Sequence, residues 1–153
     1  MQSSSQEILS TTFLEIVEQL TFMFGEPTPK AEMEDLDKEF TLAKMSFTGD
    51  LTGVLSVAVP TEITAEITAN ILGLDPEDIE PETMMVDALA EMLNVVCGHV
   101  IMALVGTDAN FRLDAPETGV VDDALRTEML ASDDYTGFVL DESPVFLGLT
   151  LES

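Results

Sequence analysis

Residues 84–105 read MMVDALAEMLNVVCGHVIMALV. The run is nearly all apolar and long enough for about six turns of α-helix. Into it are set Asp87, Glu91, Asn94 and Gly98, at steps of four, three and four. At about 100° per residue those steps fall on one narrow stripe. On the same wheel Leu89, Leu93, Val96, Val100 and Leu104 make a core face nearly opposite. Met84, Ala90, Ile101 and Met102 flank the stripe and are expected at its exposed margins, with Met84, Met85, Met92 and Met102 available as core filler or adaptable contact surface. An ordinary solvent face on so acidic a chain would carry more charge. Two carboxylates, an amide and a glycine in an apolar surround suit a surface that another protein covers. A carboxylate and an amide one turn apart can also grip a cation or aim a water molecule, whereas an apolar helix gains no stability from holding them.

Working outward, residues 5–24 predict a first helix, capped by Ser4 or Ser5 with Glu7 in its first turn. Its inner face is Ile8, Phe13, Leu14, Ile16, Val17, Leu20 and Phe24; Gly25, Pro27 and Pro29 stop it. Residues 40–48 and 51–59 alternate as a β-hairpin around a two-residue turn at Gly49-Asp50. Residues 61–72 predict a second helix with Thr61 as cap, and Gly73, Pro76 and Pro81 lead into the striped helix, which ends near Gly106. Residues 111–113 are strand-like and lead to Pro116, an acidic piece holds a short helix near 124–130, and residues 135–140 and 145–151 form a second hairpin turned at 141–144. The order helix, hairpin, helix, helix, strand, hairpin predicts one α+β domain over residues 1–153. It is a two-layer fold with a largely antiparallel sheet and long helices on one face. Residues 11–24 echo 87–100, a weak internal duplication.

Composition narrows the function. The 46% hydrophobic content supports a folded core, and 153 residues suit one domain. The net charge of −25, with only Lys30, Lys38, Lys44, Arg112 and Arg126 basic, excludes nucleic acid as a partner and disfavours anionic membranes. The same field solubilises the surface and steers any partner that offers a cationic site. One cysteine, Cys97, allows no intramolecular disulfide and no CxxC motif. The opening residues show neither a basic stretch nor an apolar signal core, and no window holds about 20 uninterrupted apolar residues, so a cytoplasmic protein without a membrane span is expected.

The pattern Asp87-x-x-x-Glu91-x-x-Asn94, with Gly98 following and Pro116 further on, resembles the signature of the CheC/CheX/FliY family of phosphatases acting on the phosphorylated response regulator CheY. The string AEMLNVVCGH at 90–99 is similar to that family's site helix, and FTGDLTGVLSVAVP at 47–60 is similar to its hairpin. The resemblance implies that Glu91 pairs with the receiver's active-site lysine. Asn94 then reaches the aspartyl phosphate and holds the attacking water in line. By position alone, Asp87, one turn earlier, is a helix-surface hydrogen bonder that orients its neighbours, Gly98 lets partner backbone approach, and Pro116 shapes a loop. The resemblance places Mg2+ on the receiver, with no metal or other cofactor bound by this chain, and it implies a homodimer formed through the sheets. Chemistry agrees with these roles. An acyl phosphate is already reactive, so a catalyst has only to position water, and a neutral amide does so without repelling the phosphoryl group. Along the first helix Thr11, Glu15 and Glu18 repeat the spacing with glutamate at the amide's place, so the chain resembles the single-site CheX type.

Two other readings remain open at this stage. A non-catalytic module could dock receivers or flagellar-switch components, and an enzyme could hold a metal on Asp87, Glu91 and His99, although a second histidine or a cysteine at ligand spacing is lacking. Cys97 and His99 point about 160° apart on a helix and cannot form a nucleophile pair; Cys97 is expected in the core and His99 at a flank or in the interior.

Overall fold

A computed structural model describes residues 2–34, 36–78 and 80–152, with the backbone alone described at 2–6, 76, 81 and 82. The long apolar run forms α3 (Pro81–Val105), with proline at its first position, where no amide hydrogen is needed. The other helices are α1 (Gln2–Thr21), α2 (Thr64–Leu72) and α4 (Asp123–Ala131). The strands are β1 (Gly25–Pro27), β2 (Phe40–Gly49), β3 (Gly53–Pro60), β4 (Phe111–Leu113), β5 (Glu117–Val120), β6 (Tyr135–Leu140) and β7 (Ser143–Leu151).

The seven strands among the described residues join one antiparallel sheet in the order β1-β6-β7-β3-β2-β4, with β5 following β4 along the same edge of β2. That order carries the internal duplication. The strand after α1 pairs with the second half's hairpin, the strands after α3 pair with the first half's hairpin, and β3 meets β7 at the centre. Exchanging the halves reverses the order and leaves it unchanged.

The alternation in β2, β3, β6 and β7 sends Ala43, Met45, Phe47, Leu55, Val57, Val59, Phe138, Leu140, Val145 and Leu147 to one face. There they meet Leu9, Phe13, Ile16 and Val17 of α1, Ile67 of α2, and Leu89, Leu93, Val96 and Val100 of α3. The long helices therefore share one face, as expected. The opposite face is closed as well. Phe40, Ala58 and Phe146 pack there with Met33, Val121 and Met129, so α4 covers residues that alternation alone leaves outward. Asp122 caps α4, its carboxylate accepting from the Leu125 amide at 2.8 Å. At the other end Lys30 Nζ donates to the carbonyls of Met129 at 2.9 Å and Ser132 at 2.5 Å.

Several boundaries differ from expectation. The first helix already includes Gln2, so it starts before Ser4 and Ser5, whose side chains lie outside the described ones. It ends at Thr21 because the Thr21 hydroxyl bonds the Val17 carbonyl at 2.7 Å and accepts from the Met23 amide, and Phe22 turns to φ +60°. Phe24 is thereby exposed and Met23 takes the buried place; Ile8 also faces outward, and Leu9 is its core neighbour. Thr61 does not cap α2. Its hydroxyl pairs with that of Thr41 at 2.8 Å, and a short 3-10 turn over Thr61–Ile63 precedes the helix.

The first hairpin has a longer loop than a two-residue turn, because Thr48 and Gly49 continue into pairing with Arg112 and Phe111. At Gly49, φ +137°, any Cβ would overlap the Asn110 carbonyl, so only glycine fits. The second hairpin is tighter than expected, turning at Asp141-Glu142 with both residues at positive φ, as a type I′ turn requires. β1 and β5 were not foreseen. By length and composition α3 could cross a bilayer despite its carboxylates; here its apolar arc lies against the sheet and α1.

Candidate docking and catalytic site on helix α3

Helix α3 is pinned by Ala88, Leu89, Met92, Leu93, Val96, Cys97, Val100 and Ile101, all buried. Their spacing leaves one arc outward, and the structure puts Asp87, Glu91 and Asn94 on it, all exposed, with Gly98 half-buried one turn on. Among the described residues, none of the three side chains has a hydrogen-bond or ion-pair partner. A helix held by eight buried residues thus presents two acids and an amide that have no partner among the described residues.

The margins are Met84, Met85, Ala90, Val95 and Met102, all half-buried. Ile101 was expected at the margin but is a core residue, because α1 and α2 pack beside the sheet and widen the buried arc; Met92 is core filler. His99 is exposed rather than interior. Its Nδ1 lies 2.9 Å from the Val95 carbonyl, which can only accept, so Nδ1 carries a proton in this contact. Cys97 is buried, and burial pushes its thiol up to about 12, so it is no nucleophile near neutral pH. Among the described residues no three His, Cys, Asp or Glu side chains converge as metal ligands, so Asp87, Glu91 and His99 do not form a ligand set.

Pro116 is not on the stripe. It stands half-buried in the break between β4 and β5, where the edge strand leaves and rejoins β2. The sheet residue that reaches the stripe is Phe111 of β4. Its ring lies 3.9 Å from where a Cβ on Gly98 would sit. Sequence reasoning missed Phe111, since a three-residue strand gives no periodicity to assign it a face. On α1 the corresponding Thr11, Glu15 and Glu18 are also exposed, above buried Phe13, Ile16 and Val17.

A family model described as "Chemotaxis phosphatase CheX" matches residues 41–135, which include the first hairpin and all of α3. The chain belongs to the CheX family. Solved structures agree on the fold. A chemotaxis protein CheX from Desulfovibrio desulfuricans superposes with a TM-score of 0.71 at 15% identity, covering 97% of this chain and 99% of that one. The CheX of a CheX–CheY–BeF3–Mg2+ complex from Borrelia burgdorferi gives a TM-score of 0.67 at 12% identity, covering 96% and 97%. Thermotoga maritima FliY gives 0.55 at 12% identity, covering 94% and 84%. At these identities the likeness is one of fold. No curated protein matches the chain.

Proposed function

We propose that this CheX-family chain hydrolyses the aspartyl phosphate of a CheY-type receiver domain, using Glu91 and Asn94. The observation that carries the reading is that both side chains lie exposed and without internal partners on an otherwise buried helix. Family membership supports it, as does the existence of a CheX–CheY complex from Borrelia burgdorferi.

In this mechanism Glu91 forms a charge-assisted bond with a lysine ammonium beside the receiver's phosphorylated aspartate, which fixes register. Asn94, one turn on, enters the phosphorylation pocket. Its amide hydrogen-bonds a water and holds it in line with the phosphorus–oxygen bond that breaks. The acyl phosphate supplies the reactivity, so positioning supplies the rate. A carboxylate at the same place would repel the phosphoryl oxygens, so the α1 stripe with Glu18 is expected to be silent. Asp87 extends the acidic docking surface one turn before Glu91, and Pro116 shapes the sheet edge. Mg2+ belongs to the receiver, and this chain supplies no metal. We place the protein in the cytoplasm, where receivers are phosphorylated, as a homodimer joined through its sheets, whose edge strands offer unpaired main chain.

The test is to add the protein to a phosphorylated receiver and follow phosphate release. Acceleration by the native chain and its loss in Asn94→Ala support the reading. Tight binding without turnover would instead identify a receiver-docking module.

A further inference from the structure

We infer that Gly98 is a positioning residue for this reaction: it sets how deeply a main-chain segment of the receiver seats against α3, and so whether the short Asn94 side chain reaches the phosphoryl group. The inference rests on the receiver-docking reading above. Gly98 stands mid-helix, where glycine is the poorest helix former apart from proline. The fold does not demand it. A Cβ there would meet only the edge of the Phe111 ring, at an ordinary contact distance of 3.9 Å, and the backbone is not at positive φ. The position is half-exposed and lies one turn beyond Asn94 on the same stripe. A helix that is less favourable with glycine than with alanine, at a place where alanine fits, points to something outside the chain that needs the room.

The other half of the molecule provides a second observation. Four residues after Asn94 comes Gly98; four residues after Glu18 comes Phe22. Phe22 is 68% exposed and has left the helix, so that half has neither amide nor clearance. On α3 the amide and the gap occur together; on α1 both are missing. An added methyl group holds an approaching surface off by about 1.5 Å. Asparagine ends two bonds beyond its Cβ and cannot make up that distance.

Gly98→Ala and Asn94→Ala are compared with the native chain for melting temperature, affinity for the phosphorylated receiver, and kcat and KM of dephosphorylation. The expected Gly98→Ala protein melts at least as high as the native one, binds the receiver about tenfold more weakly, and loses about 100-fold in kcat. Native turnover in Gly98→Ala, with Asn94→Ala inactive, overturns the role of Gly98 and leaves the catalytic reading standing. A lower melting temperature also overturns it, because glycine would then serve the fold. If the native chain binds without turnover, the affinity arm decides, and equal affinities overturn the inference. A native chain that neither binds nor hydrolyses overturns both.

Discussion

The side-chain amide of Asn70, on α2, donates to the backbone carbonyl of Thr21 at 2.6 Å. Thr21 is fully buried, so that carbonyl would otherwise lack a partner at the end of α1. This contact joins α1 and α2, the helices packed against α3. Asn70→Ala is expected to destabilise the fold by about 1–3 kcal/mol, the cost of an orphaned buried acceptor. Urea unfolding checks this; a change within about 0.5 kcal/mol would mean that the end of α1 finds another partner.

Cys97 gives the stability a pH dependence of known sign. Unfolded, its thiol ionises near the ordinary value of 9.0; folded, burial keeps the proton until about 12. Between those values the folded state binds more protons, so stability is fully present below about 9 and declines as pH rises. Thermal melts of the native chain and Cys97→Ala from pH 8 to 11 should converge as pH rises. Parallel curves would contradict the buried-thiol account. The same burial predicts that native Cys97 resists alkylation at pH 8 while the unfolded chain reacts.

With a net charge of −25 and Glu91 exposed on α3, the proposed association with a receiver should be steered by a long-range field. At 0.1 M salt such fields are screened beyond about 10 Å. Stopped-flow association is expected to slow by about tenfold or more between low and 0.5 M salt, with a smaller change in dissociation. A salt-independent rate would mean that the apolar margins alone direct the encounter.

Much of this was legible before any coordinates. A period of 3.6 sustained over α3, and alternation in β2, β3, β6 and β7, are strong signals, and the Asp87, Glu91, Asn94 stripe falls out of helix geometry. What escaped was set by tertiary context. β1 and β5 are three and four residues long, too short for a period. Ala58 looks like an outward position and is buried because Met33 and Met129 of α4 close over that face. Ile101 was expected at the margin because a wheel drawn against a single sheet underestimates the arc that α1 and α2 also cover. The contact of Phe111 with Gly98 depends on where an edge strand lands, which no local pattern encodes.

In the proposed mechanism an uncharged amide at position 94 places the water. Asn94→Asp changes the charge and almost nothing in shape, so it isolates the effect of that charge. Phosphate loss from a phosphorylated receiver should be accelerated by the native chain and fall by about 100-fold or more in Asn94→Asp, while the variant still folds and binds the unphosphorylated receiver. An Asn94→Asp chain that dephosphorylates the receiver as fast as the native one would contradict the account.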